Sequence, residues 1–235
     1  ERGVIMAGYL LLAGGAEFGG RMAEADLRAI ELAGGDDARI SIIPTAAAPD
    51  NNHDRAGRNG VRWFESLGAR RVAALPLIDR ASAESPAIAA TLRESRLIYL
   101  LGGFPHYLGQ TLLGSASWQA VVAAHQAGAV VAGSSAGAMV LCQHYYQPDA
   151  KQVAQGLAVL PNACVLPHHN TFGRSWAAQL AALLPGSTLI GIDERTAMLN
   201  DADGAWQVYG QGAVTLYRDH QPTAYRSGKQ FEIGD

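Results

Sequence analysis

The chain has 235 residues, 49% of them apolar, and its 18 basic against 21 acidic side chains leave a formal charge of −3. That length encloses a full core as a single domain spanning residues 1–235, and the near-balanced charge excludes a general polyanion-binding surface, so nucleic acid is not an expected partner. The apolar opening Val4–Ala13 is too short to cross a bilayer and no later run reaches the needed length, so a soluble, cytoplasmic protein with no membrane partner is expected.

Tyr9 to Ala13 reads as a buried strand stopping at Gly14-Gly15; its continuous apolarity points to a parallel sheet covered on both faces. Met22 to Ala33 carries Leu27, Ile30 and Ala33 on one side and closes at Gly34-Gly35, a helix. Arg39 to Pro44 is a second strand, Arg55 to Leu67 a helix, and Arg71 to Leu77 a third strand followed by a turn or cap at Asp79. Ser85-Pro86 caps a short helix, and Leu97 to Leu101 is a fourth strand that ends at Gly102-Gly103. One helix from about Tyr107 to Gln126, with a break possible at Gly109 or Gly114, leads to the apolar run at Ala129. Strands alternating with helices in this way predict a doubly wound, mostly parallel α/β sheet with helices on both faces, whose ligands gather at the carboxyl ends of the strands. Beyond Gln143 the texture changes. Tyr145 to Val153 reads as a polar loop, Gly156–Pro161 and Cys164–Pro167 as short extended pieces, and Ser175 to Leu184 as a helix. Thr188 to Asp193 is a further strand, and Ala197–Asn200, Trp206–Gly210 and Ala213–Tyr217 are short antiparallel strands, with Asp201–Gly204 as a hairpin turn.

The chemistry centres on Gly133-Ser134-Ser135-Ala136-Gly137, a G-x-S-x-G pattern between a Val-rich strand and the start of a helix. In a nucleophile elbow this corner lifts the serine above the sheet edge, with the following amide aimed at the same space; a Gly-rich core turn is the competing reading. A serine nucleophile needs a base and an orienting acid. His168 and His169 are the candidate bases; Glu194, just past a strand, and Asp149, in the loop after the elbow helix, are the candidate acids. The Gly103 and Ala136 amides can form a two-donor oxyanion hole. Arg174 offers a planar fork for a substrate carboxylate, or else a surface ion pair, and Phe104 and His106, following the glycine pair, are further candidate substrate contacts. The Gly14–Gly20 stretch lacks both the dinucleotide and the phosphate-loop spacing, and neither Cys142 and Cys164 nor the His53-Asp54 and His168-His169 pairs have metal-site spacing, so no cofactor and no metal are expected.

Taken together, Leu11–Glu17, Leu101-Gly102-Gly103, Ala132–Ala138, Gly156–Pro161 and Ile190–Ala197 resemble the serine peptidase family that contains cyanophycinase and the aspartyl dipeptidase peptidase E. The resemblance implies a class I glutamine-amidotransferase-like fold, Ser135 as nucleophile and His168 as base, with His169 one residue away as the alternative. It favours Glu194 over Asp149, because Gly191-Ile-Asp-Glu-Arg-Thr-Ala197 is the fuller match. The chain departs from cyanophycinases where they carry Asn-Gln after the glycine pair, here Phe104-Pro105, and Asp-Gln before the histidine, here Leu166-Pro167; of their nearby arginines only Arg174 is plainly retained. The expectation is therefore amide hydrolysis of a small peptide or isopeptide with an acidic residue beside the scissile bond, by a protein that dimerises at the base rate for soluble chains. An esterase using the same triad, or a catalytically silent binding protein on the same fold, are the alternatives.

Overall fold

The computed structural model describes residues 8–201, 205–218 and 221–233. Its first half supplies strands β1 (Tyr9–Ala13), β2 (Arg39–Ile43), β3 (Arg71–Ala74), β4 (Leu97–Leu100) and β5 (Val130–Ser134), ordered β1-β5-β4-β2-β3 and parallel at every contact. Between them run α1 (Met22–Ala33), α2 (His53–Ser66), α3 (Arg80–Ala83), α4 (Pro86–Arg93), α5 (Pro105–Leu112) and α6 (Ala116–Gln126), and α7 (Ala136–Leu141) follows β5. Side chains alternate through the sheet. Leu10 and Leu12 pack with Ile98, Leu100 and Val131 under α4 to α6, while Leu11 and Ala13 pack with Ile40, Tyr99 and Val130 under α1 and α2. Apolar matter on both faces is what the unbroken apolar strands require.

The helical stretch expected over 107–126, with a break possible at Gly109 or Gly114, is two helices parted at Gly114. Gly114 takes φ +70° and the Ser115 hydroxyl accepts the Trp118 amide at 3.0 Å, so α6 begins with its own cap. Asp79 closes a capping box onto Ser82, and Ser85 with Pro86 starts α4.

The second half departs further from expectation. It forms β6 (Cys142–Gln147), β7 (Gln152–Gln155), β8 (Leu160–Leu166), α8 (Ala177–Leu183), β9 (Thr188–Ile192), β10 (Thr196–Asn200), β11 (Trp206–Gly210), β12 (Ala213–Arg218), β13 (Gln221–Arg226) and β14 (Gln230–Phe231). Strands β10, β11 and β14 extend the first sheet beyond β1 in antiparallel fashion. The others build a second sheet, β13-β12-β9-β8-β6-β7, parallel at β6-β8 and β8-β9. The stretch read as a polar loop over 145–153 is thus the β6-β7 hairpin, and of the two short extended pieces after it the end of the first, from Leu160, and Cys164–Leu166 of the second belong to one strand, β8. Of the expected hairpin turn Asp201–Gly204, residues 202–204 lie outside the described residues, as do residues 4–7 of the apolar opening. The result is an α/β fold of mixed parallel and antiparallel sheets flanked by helices, as in the class I glutamine-amidotransferase-like proteins. No helix among the described residues is long and apolar enough to cross a membrane, and Cys142 and Cys164 are free, buried thiols.

Asp26 of α1 is fully buried, with Trp63 Nε1 donating to its Oδ2 at 2.8 Å and no partner for Oδ1 among the described residues. Burial pushes its carboxyl up to about 7, the Trp63 hydrogen bond opposing the rise and Glu17 adding to it. The native state therefore keeps a proton that the unfolded chain has released, so stability falls as pH rises from about 4 to about 7 and levels off above. Asp26→Asn keeps an acceptor for Trp63 and should flatten this slope. Denaturant unfolding at pH 5, 6, 7 and 8 should show the variant gaining on the parent by up to about 1.4 kcal/mol per pH unit below 7. A gap independent of pH would refute this assignment.

Candidate active site

β5 ends at Ser134 and α7 starts at Ala136, leaving Ser135 alone at the corner with φ 49° and ψ −110°. A residue bearing a Cβ is strained there by about 1–3 kcal/mol. The surroundings hold it. The Ser135 amide donates to the Ala13 carbonyl at 3.0 Å, the Met139 amide donates to the Ser135 carbonyl at 3.0 Å, and the Ser134 hydroxyl donates to Glu17 Oε2 at 2.8 Å. The corner is also tight: a Cβ on Gly133 would overlap the Gly137 backbone, and one on Gly137 the Leu100 carbonyl.

Ser135 Oγ lies 3.0 Å from His168 Nε2, and His168 Nδ1 lies 2.8 Å from Glu194 Oε1. When Nδ1–H donates to the carboxylate, the Nε2 lone pair faces the serine hydroxyl. His168 follows β8 and is itself held at φ 47°, its amide donating to the Gly14 carbonyl at 2.7 Å while its carbonyl accepts the amides of Thr171, Phe172 and Gly173. Gly15 lies flat against the imidazole, where any Cβ would overlap the ring. Glu194 follows β9. Its amide donates to Asn170 Oδ1 at 2.9 Å, and the next amide, Arg195, donates to the Gly15 carbonyl at 2.9 Å. The Gly14-Gly15 loop is therefore tied to both the histidine and the glutamate segments. Phe172 stacks on the His168 ring at 4.9 Å.

The other expected residues fall in different places. The His169 ring turns away from Ser135, with Nε2 bonded to the Tyr217 hydroxyl at 2.8 Å and Nδ1 beside Asp193 at 3.4 Å, and burial holds its pKa below the usual histidine value. Asp149 sits exposed in the β6-β7 turn, with no hydrogen bond to either histidine among the described residues. Arg174 lines a second cavity of about 820 Å³ with Tyr217 and Arg218, apart from the serine. His106 bonds the Tyr145 hydroxyl at 3.0 Å. Gly103 and the 44%-exposed Phe104 line a cleft of about 600 Å³ together with Glu17, Phe18, Asn59, Arg62 and Gly102. Among the described residues the Gly103 and Ala136 amides carry no hydrogen bond, which leaves both as free donors. No group of three or more His, Cys, Asp or Glu among the described residues is placed to hold a metal.

Three contributors were not singled out from sequence. Gly15 makes room for the imidazole, Asn170 anchors the Glu194 backbone, and Glu17 braces the elbow. Their signal is adjacency, since Gly15 and Glu17 share one stretch and Asn170 follows the two histidines directly.

The model of peptidase family S51 matches residues 10–208. A cyanophycinase of Synechococcus elongatus is 31% identical over 245 aligned positions, covering 97% of this chain and 73% of the relative; a cyanophycinase of Trichormus variabilis is 32% identical over 197, covering 78% and 64%. Among solved structures, a peptidase from an acI-B1 actinobacterium superposes with a TM-score of 0.87 at 31% identity, covering 96% of this chain and 97% of that one. The match takes in the elbow, the histidine segment and the glutamate segment alike, and the chain belongs to peptidase family S51.

Proposed function

We propose that this peptidase uses Ser135, His168 and Glu194 to hydrolyse the amide bond of a small peptide or isopeptide through an acyl-enzyme. The observation that carries the reading is the unbroken line from Ser135 Oγ through His168 to Glu194, with hydrogen bonds of 3.0 and 2.8 Å. Ser135 Oγ attacks the carbonyl carbon as His168 Nε2 takes its proton. The C–N bond then breaks and the same proton goes to the leaving nitrogen. Glu194 holds the productive tautomer and offsets the imidazolium charge. The Gly103 and Ala136 amides receive the oxyanion, each donor contributing about 3 kcal/mol in the transition state. Water, deprotonated by His168, releases the acyl group.

An acidic residue beside the scissile bond fits the cleft because its wall carries Arg62, whose one hydrogen bond among the described residues goes to Asn59 Oδ1 at 2.6 Å and which makes no ion pair there. Arg174, in the other cavity, is not needed for this. The test is a fluorophosphonate probe together with a panel of Asp-X, β-Asp-X, Glu-X and Ala-X dipeptides and their esters. The expected result is labelling of Ser135 alone and release of amine fastest from the acidic dipeptides. Absence of labelling where a control hydrolase labels would overturn the hydrolase reading, and equal rates on Ala-X would overturn the acidic preference.

A further inference from the structure

The segments that leave β8 and β9 run side by side, and each presents two adjacent residues to the other, His168 and His169 against Asp193 and Glu194. Two hydroxyl–imidazole–carboxylate lines result. Ser135, His168 and Glu194 form one; Tyr217, His169 and Asp193 form the other, with the Tyr217 hydroxyl 2.8 Å from His169 Nε2 and Asp193 Oδ1 3.4 Å from its Nδ1. Nothing in the proposed reaction uses the second line.

The second line is the better enclosed. The His169 ring is buried and lies over Gly191, where a Cβ would stand 2.3 Å from it, whereas the Glu194 side chain of the first line is one-third exposed. Burial keeps the His169 pKa below the usual histidine value, Asp193 opposing the fall and Arg174 adding to it, so the ring is neutral at pH 7 and carries one N–H. A carboxylate only accepts, so that N–H faces Asp193 and the Tyr217 hydroxyl donates to Nε2. Both partners are tied to one strand. Tyr217 lies in β12, and Asp193 exchanges bonds with Ala213 at its start: the Ala213 amide donates to Asp193 Oδ2 at 2.9 Å and the Asp193 amide to the Ala213 carbonyl at 3.1 Å. The ring therefore pegs the turn after β8 to β12. One residue before it stands His168, at φ 47°; one residue after it stands Asn170, which holds the Glu194 amide.

We infer that His169, clamped between Tyr217 and Asp193, is a positioning residue: it fixes the turn that carries His168 and Asn170 and so keeps His168 in line between Ser135 and Glu194. The inference rests on the proposed hydrolase reading and adds to it a part that touches neither substrate nor reacting atoms. Released from the peg, the turn relaxes from its strained φ and the imidazole shifts, and a displacement of about 1 Å costs about 100-fold in rate. The cleft lined by Gly103 and Phe104 takes no residue from this turn, so the loss falls on kcat and leaves KM in place.

The rate of fluorophosphonate labelling reads the activation of Ser135 in the full chain, and kcat and KM on a cleaved dipeptide read the rest. His169→Phe, which keeps a ring and loses both hydrogen bonds, should slow labelling and lower kcat by about 100-fold with KM within about 2-fold. His169→Asn, whose amide N–H can replace Nδ1–H toward Asp193, should recover to within about 10-fold of the parent. Tyr217→Phe, which removes one hydroxyl and keeps the packing, should slow labelling by about 3- to 10-fold and carries the test if His169→Phe does not fold. Because His169 acts through the His168–Glu194 pair, adding either change to Glu194→Gln should cost no more than about 3-fold further. Rates unchanged in both ring-keeping variants, a loss confined to KM, an asparagine variant worse than the phenylalanine one, or full multiplication on Glu194→Gln would each overturn the role. Parent protein that labels while these variants label equally fast would sink the positioning alone; parent protein that does not label would sink the hydrolase reading beneath it.

Discussion

Ser135→Ala is expected to reduce kcat on a cleaved dipeptide by about a million-fold and to abolish fluorophosphonate labelling, with little change in folding. The reduction is this large because, among the described residues, Ser135 is the only hydroxyl hydrogen-bonded to the His168 ring, and Ser134, one residue earlier, is fully buried and spends its hydroxyl on Glu17. No neighbour can substitute. Ser135→Gly should be equally inactive and yet unfold at a higher temperature than the alanine variant. Alanine inherits the strain of φ 49° and ψ −110°, about 1–3 kcal/mol, whereas glycine escapes it and gives back only about 0.4–1 kcal/mol through its freer unfolded chain. The difference corresponds to a few degrees in Tm, at roughly 2–4 °C per kcal/mol for a chain of this size. Residual turnover of the alanine variant above about 1% of the parent would show that another group attacks the substrate.

The same corner explains why the site could be read from the sequence so far and no farther. The apolar runs at Leu10, Ile40, Leu97 and Val130 announce strands because both faces of the first sheet are covered, and a run of that kind has no other stable fate next to Gly-rich turns. The serine at the corner follows from its small neighbours. What pairs with what is less visible in the second sheet. In β6 the burial does not alternate, Tyr145 and Tyr146 both being buried while His144 and Gln147 are only partly so, and the period-two signal disappears into what looks like a polar loop. β8 is hidden for a different reason. Pro161 has no amide to give the ladder and Asn162 sits at φ 50°, so the strand looks like two fragments until β6 and β9 flank it, with a register shift on the β6 side.

The choice between adjacent histidines was open because both sit in the turn that follows β8, where no strand alternation assigns directions, and what packs against each ring decides which one meets the serine. Gly15 backs the His168 ring and Tyr217 of β12 takes that of His169. Arg174, read from its position as either a substrate fork or a surface ion pair, lines the cavity beside Tyr217.

Glu194→Gln is expected to lower kcat by about a thousand-fold at pH 7, and Asp149→Asn to leave it within about two-fold of the parent. The two carboxylates stood as rivals for one role, and geometry separates them. Glu194 Oε1 lies 2.8 Å from His168 Nδ1, while Asp149 sits exposed in a hairpin turn. Glutamine at 194 keeps the shape and the backbone anchor to Asn170, so the variant should fold. It nevertheless removes the negative charge that offsets the imidazolium, and its amide can turn an N–H toward Nδ1, which places the ring proton on Nε2 and deprives Ser135 of its acceptor. The side chain of Glu194 is 34% exposed, so water partly compensates the lost charge, and the effect should fall below that of deleting the serine. Probe labelling should slow in step with kcat, because the lost step is activation of Ser135 in both reactions. The opposite outcome, activity lost in Asp149→Asn and kept in Glu194→Gln, would require the β6-β7 turn to close over His168 during turnover and would remove Glu194 from the mechanism.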